Sequence, residues 1–138
     1  LQFSGHSGSY ANKSFFIISF YLLLLSLFFF FFTERIVFQI LFVGKIHPTL
    51  RPIDCNQKQL QQLAQAALSV PRQSYETKGI TNSLELAAQM KAEGYKRQEY
   101  RHWVFGREGK PCHICSTTII KDTTGGRRYY YCPRCQKK

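Results

Sequence analysis

Cys112 and Cys115 form one C-x2-C pair, Cys132 and Cys135 form another, and sixteen residues lie between the pairs. Each pair places two thiols on a tight knuckle. Two facing knuckles bring four sulfurs to the corners of a tetrahedron, the closed geometry of a structural zinc site. Four thiolates leave no open position for water or substrate, so such an ion holds shape and does no chemistry. Two disulfides are the competing reading. They fit poorly, because Cys55 stands alone and nothing else resembles a secreted disulfide scaffold. A redox dithiol is a third reading, against which a zinc-to-protein stoichiometry near one would argue.

The segment between the knuckles reads as a hairpin. Thr117 to Lys121 is β-branched and strand-like, Thr124-Gly125-Gly126 supplies the turn, and Arg127 to Tyr131 runs back to Cys132. Arg127 and Arg128 therefore fall at or just after the tip of a hairpin that zinc holds rigid. A guanidinium on so fixed a base is a good fork for phosphate oxygens.

The charge is concentrated in the same part of the chain. Of the 138 residues, those from Gly44 to Lys138 carry 17 Lys and Arg against 7 Asp and Glu, a net of +10. One zinc ion on four thiolates lowers this by two. The balance points to a polyanion, nucleic acid first and an anionic membrane surface second. A segment of this size buries only a modest core, so a metal staple has a clear use.

The N-terminal segment is different in kind. Phe15 to Phe32 is apolar apart from Ser19, Ser26 and the Tyr21 hydroxyl, and it contains five consecutive phenylalanines. Its length admits a membrane helix or part of a secretory signal. Only Lys13 precedes it as a basic residue, and no small-residue cleavage site follows, which disfavours the signal. The favoured expectation is a stretch of translated T-rich DNA, an intron end or misjoined gene segment, since such DNA encodes Phe, Leu, Ile and Ser together. The abrupt change of composition after about Gln39 agrees with this.

Between these two parts the chain reads as helices and turns. Ile46 to Pro52 is punctuated by Pro48 and Pro52 and forms a turn region. Asp54 or Asn56 caps a helix over Lys58 to Val70, with Leu60, Leu63, Ala64, Ala67 and Leu68 on one face, and Pro71 stops it. Asn82 and Glu85 form a capping box for a second helix, Ser83 to Glu93, which Gly94 ends. Tyr95 to Arg101 reads as irregular, and His102 to Phe105 as a short strand or extended lead-in. His47 and His102 are each remote in sequence from any carboxylate or cysteine cluster, so structural or surface roles are expected. His113 lies inside a knuckle whose ligands are already present. Cys55 is a bystander thiol with no activating base in view. Trp103, Tyr129, Tyr130 and Tyr131 could stack on exposed bases, but packing against the zinc ribbon is the expectation for most of them.

The stretch from Arg101 to Cys112, with Cys115 and then Gly126 to Gln136, closely resembles the C-terminal zinc finger of the formamidopyrimidine-DNA glycosylase/endonuclease VIII (Fpg/Nei) family. Upstream, Leu41-Phe42 and Ile46-His47-Pro48 resemble the end of the first helix and the turn of that family's helix–two-turn–helix domain, and Lys58 to Val70 resembles its next helix. The resemblance covers about residues 40–138. It implies an α+β, mostly helical fold. Residues 1–39 are an extra hydrophobic segment, 40–100 a partial helical DNA-binding domain and 101–138 a four-cysteine zinc-bound β-hairpin.

The function implied is base-excision repair. Members remove oxidised bases and cut the abasic strand through a Schiff base on an N-terminal proline. An adjacent glutamate and a lysine of an N-terminal β-sandwich assist. The helical domain and finger grip the phosphates around a flipped nucleotide. The family's zinc-finger arginine corresponds to Arg127, with Arg128 beside it, and the partner is double-stranded DNA with damaged or abasic sites. The departures are specific. The chain begins Leu1-Gln2 and not Pro-Glu, it has no β-sandwich sequence, and Phe31-Phe32-Thr33-Glu34 stands where the family's Gly-x-Gly-Asn turn should fall. Many members carry Tyr where Phe105 stands. The expectation is a monomeric, chromosome-associated, DNA-gripping portion of a glycosylase/AP lyase with one structural zinc and no activity on its own. The rival is a non-enzymatic zinc-ribbon nucleic-acid-binding module, membrane-anchored if residues 15–32 are a working helix. The Ser74–Asn82 loop and the Tyr-rich finger lean toward the endonuclease VIII-like branch, which implies oxidised pyrimidines.

Overall fold

In a computed structural model, residues 8–138 are described, with side chains described for residues 18–27 and 33–138. The chain divides into two compact units, Leu1–Glu34 and Arg35–Lys138. The first unit holds most of helix α1, which runs Gly8–Val43. Its described apolar side chains, Ile18 to Leu27, are exposed. The Phe-rich run falls partly outside the described side chains. Among the described residues, no helix is long and apolar enough to cross a membrane.

The second unit begins with the last turns of α1, whereas composition changes only after about residue 39. Phe38, Gln39 and Phe42 recur at helical spacing and face the interior of this unit. The helix ends in a Schellman motif: Ile46 donates to the Leu41 carbonyl (2.9 Å) and Lys45 to that of Phe42 (3.0 Å). Gly44 is needed there for space, because a Cβ would lie 3.3 Å from the Leu63 Cα of the next helix.

Helix α2 spans Gln57–Glu76. Asn56 caps it: its side-chain oxygen accepts from the Gln59 backbone amide and its own N–H donates to the Gln59 carboxamide oxygen, both at 2.9 Å. Pro71 does not stop α2; it sits inside it. A proline removes one amide donor, and the turns beyond are held by other means. Val70 and Ser74 are buried on one face, while the Gln73 carboxamide donates to the carbonyls of Ile80 (3.2 Å) and Asn82 (2.7 Å). The buried face is also not the expected one. Ala66, Val70 and Ser74 are inside, Leu60 and Leu63 are half-buried, and Ala64, Ala67 and Leu68 are exposed.

Helix α3 covers Leu84–Ala92 and α4 is a single turn, Arg97–Tyr100, in the stretch expected to be irregular. The Asn82–Glu85 capping box is not formed. Ser83 is the N-cap residue, and Asn82 is buried with its side-chain Nδ2 donating to the Tyr100 carbonyl at 3.1 Å. His102 to Phe105 forms turns and no strand. The amides of Trp103 and Val104 both donate to the Gln39 carboxamide oxygen, at 2.9 and 3.4 Å, which takes them out of any ladder.

Strands β1 (Ile120–Thr124) and β2 (Arg127–Tyr131) pair antiparallel, from Ile120 opposite Tyr131 to Thr124 opposite Arg127. Gly125 and Gly126 close the hairpin with φ of 57° and 77°, the two left-handed residues of a tight turn that matches strand twist. β1 starts later than expected because residues 117–119 serve the knuckle. Thr117 accepts from the Cys112 amide (2.8 Å), and Ile119 donates to Lys110 (2.9 Å). The core of this unit joins Phe42, Val104 and Ile119 to Cys112 and Cys132.

Candidate metal centre and nucleic-acid interface

The two knuckles use one backbone device. Ser116 donates to the Cys112 carbonyl and Gln136 to that of Cys132, each at 2.9 Å, so each turn folds back on its first cysteine. The four Sγ atoms of Cys112, Cys115, Cys132 and Cys135 lie within 4.8 Å of one another. Three of the sulfur–sulfur separations are 3.4, 3.5 and 3.9 Å. A tetrahedral ion with metal–sulfur bonds near 2.3 Å requires about 3.8 Å. The donor set and its spacing fit one structural zinc.

The thiols differ in what surrounds them. Hydrogen bonds from Thr117 hold the Cys115 thiol down to about 6, while burial pushes Cys132 and Cys135 up. A bound divalent cation overrides these differences by holding all four as thiolates. The amide of Ile114 points at the Cys112 sulfur from 3.5 Å. Cys55 stays apart, with its thiol toward the Arg51 carbonyl.

Two buried glutamines fix this centre to α1 and the turn that follows it, and the sequence alone assigns neither of them this role. The Gln136 carboxamide accepts from the Cys132 amide (2.9 Å) and donates to the Ile46 carbonyl (2.8 Å), ninety positions away. Gln39 takes the amides at the entry to the finger. Beside them the His47 ring meets Tyr131 edge-on at 4.6 Å, and its Nδ1 pairs with the Thr49 hydroxyl at 2.8 Å. His47 and His102 are both structural. His102 is buried against Thr81 (3.0 Å), and burial, with Arg101 nearby, lowers its pKa to about 4. Arg107 is also buried, and its guanidinium holds the carbonyls of Trp103 (2.9 Å) and Pro111 (2.7 Å).

The aromatics pack as expected. Trp103 stacks on Phe42 (5.2 Å between centroids), Tyr130 meets Phe105 (5.3 Å), and the Tyr129 hydroxyl donates to Asp122 (3.1 Å). Arg35 lies over the Phe105 ring at 5.3 Å. Arg127 and Arg128 are exposed at the start of β2, beside the glycine turn.

Residues 109–138 match the family described as a zinc finger found in FPG and IleRS. Curated relatives extend the match upstream. Formamidopyrimidine-DNA glycosylase of Cronobacter sakazakii is 40% identical over 97 residues, covering 70% of this chain and 35% of that protein. Endonuclease 8 of Salmonella arizonae is 33% identical over 99 residues, 72% of this chain and 34% of that protein. The chain thus spans about a third of the length of these relatives. A crystal structure of Lactococcus lactis Fpg with abasic-site DNA is similar with a TM-score of 0.58 and 25% identity, over 76% of this chain and 36% of the other. A structure of MutM with carbocyclic 8-oxo-G DNA shares the fold, with a TM-score of 0.60 over the same shares and 24% identity. The chain matches the C-terminal part, helical segment and zinc finger, of proteins of the formamidopyrimidine-DNA glycosylase/endonuclease VIII family.

Proposed function

We propose that residues 35–138 are the damaged-DNA-gripping portion of a base-excision-repair protein, acting through phosphate contacts with one structural zinc. The observation that carries this is the hairpin. A metal-fixed pair of strands holds the exposed Arg127 and Arg128 at its tip, on a strongly basic unit, and the relatives include Fpg seen with abasic-site DNA. Arg127 is the principal phosphate ligand and Arg128 the auxiliary one. The metal supplies rigidity only, because four cysteines complete its shell. The protein acts as a monomer on chromosomal double-stranded DNA with damaged or abasic sites. Removal of the base and cleavage of the strand belong to a catalytic part whose Pro-Glu signature this sequence does not show.

The test is affinity for a duplex carrying a stable abasic analogue, read with and without Arg127→Ala. Losing a charge-assisted phosphate bond should weaken binding about tenfold and make the salt slope shallower by about one. Unchanged affinity and slope would overturn the assignment of Arg127. The chain should yield no borohydride-trapped covalent complex with abasic DNA, and a trapped complex would overturn the assignment of chemistry elsewhere.

A second reading rests on the first unit. The exposed leucine-rich face of residues 18–27 suits a partly apolar environment, which fits a membrane-associated zinc-ribbon module that binds nucleic acid without catalysis. Retention in the membrane fraction at high salt favours this reading, and release favours the first.

A further inference from the structure

The zinc end of the second unit carries a surface that phosphate binding at the hairpin tip leaves unused. A cavity of 360 Å3 opens between the end of α1 and the two knuckles. That volume is within the range of sites that bury a small ligand group. Its floor is apolar, formed by Phe42, Val43, Trp103 and Ile114. Ile114, at the top of the first knuckle, is 63% exposed, and Val43 is 39% exposed. The cations of the site are Lys45 and Arg134, one from each side, and no acidic side chain lines it. Neither cation belongs to an ion pair among the described residues.

Lys45 is the C′ residue of the Schellman motif that ends α1, with φ at 58° in the left-handed region that a glycine occupies without cost. The helix end thereby places a cation beside the apolar floor.

The geometry points to a docking site for an acidic protein segment that inserts one large apolar side chain. The anchor fills the cavity over Trp103 and Ile114, and carboxylates on either side pair with Lys45 and Arg134. Trp and Arg are the residue types that most often dominate such contacts. A DNA backbone satisfies the two cations but leaves the apolar floor without a partner, which is why a peptide is favoured. The separation from the tip supports this. Cys132 of the knuckle lies five positions after Arg127 along β2, about 16 Å of extended chain, so both surfaces can be occupied together.

The probe is a fluorescent twelve-residue peptide of Glu and Asp with a central Leu-Phe, titrated into zinc-loaded protein. Binding should saturate at one peptide per chain. Replacing Leu-Phe by Ala-Ala, or Ile114→Ser, should weaken it about tenfold or more. Lys45→Gly should weaken it too, with thermal stability kept or raised because glycine relieves the backbone. Arg134→Glu should do the same with zinc content unchanged. The peptide should bind equally well when the protein is already on duplex DNA. No binding, binding indifferent to these variants, or displacement by DNA would overturn the site. Loss of duplex affinity in Arg134→Glu as large as in Arg127→Ala would make the surface a backbone contact instead. The peptide arm needs no DNA, so its failure is separate from that of the proposed function.

Discussion

The zinc hairpin and the helices before it hold their backbones by different means. In residues 103–138 the interior is built on buried apolar side chains and the cysteines. Val104 and Cys132 are fully buried, Ile119 nearly so, and the four cysteines tie both ends of the hairpin to one point. Over residues 57–100 the interior is thin, with Ala66, Val70, Ala87 and Tyr100 its buried apolar members, while Leu68, Tyr75 and Leu84 lie exposed. Hydrogen bonds from buried and half-buried polar side chains replace apolar area there: Gln73 to two carbonyls, Asn82 to Tyr100, Thr81 with His102. A small basic unit cannot supply two large cores. It places a metal centre at the base of the hairpin that carries Arg127 and Arg128, and it assembles the remainder from specific polar bonds.

Removing the metal tests that difference most severely. Cys132→Ser, or chelation, should unfold the hairpin, since structural zinc contributes on the order of 10 kcal/mol in isolated fingers. Hydrogen exchange should show amides of residues 117–131 losing protection while α2 amides keep more of theirs. Equal loss in both would mean the two regions form one cooperative unit and the contrast is only one of composition.

A smaller effect probes the join. Gln136→Leu strips the Cys132 amide and the Ile46 carbonyl of their partners inside the protein. Leaving two buried groups unsatisfied costs about 2–4 kcal/mol. Zinc should still bind one to one, because no ligand changes, and urea denaturation should reveal the loss. A cost under about 0.5 kcal/mol, the scale of an ordinary surface change, would show that the finger is not held to α1 through this carboxamide.

The same contrast decides what could be read in the sequence. The finger was legible because its constraints are local. Cysteine spacing determines the ligand set, and Gly125-Gly126 determines the turn. The helical part was less so. Pro71 and the Asn82–Glu85 spacing are local signals, and both were overridden by distant bonds, from Gln73 to the 80–82 backbone and from Asn82 to Tyr100. The roles of Gln39 and Gln136 were hidden, although Gln136 closes the resembling motif, since a buried carboxamide's task is recognisable only when its partners, 64 and 90 positions away, are in place. The extent of α1 into the second unit was masked by the Phe-rich composition around it.

Leu68 gives the finest test, because periodicity places it inside and the structure leaves it 73% exposed. Leu68→Gln should change stability by no more than about 0.5 kcal/mol, the usual range at an exposed site. Val70→Ala, two residues on and 5% exposed, should cost about 1–3 kcal/mol through lost transfer energy and the cavity left behind. The pair shares a helix and neither substitution changes charge, and helix propensity favours alanine over valine, so burial has to outweigh propensity for Val70→Ala to be the costlier. If Leu68→Gln proves the costlier of the two, the face bearing Ala64, Ala67 and Leu68 is covered in solution. The helical stretch would then be one side of a larger interface, and its thin interior would reflect a missing surface rather than a different way of holding a backbone.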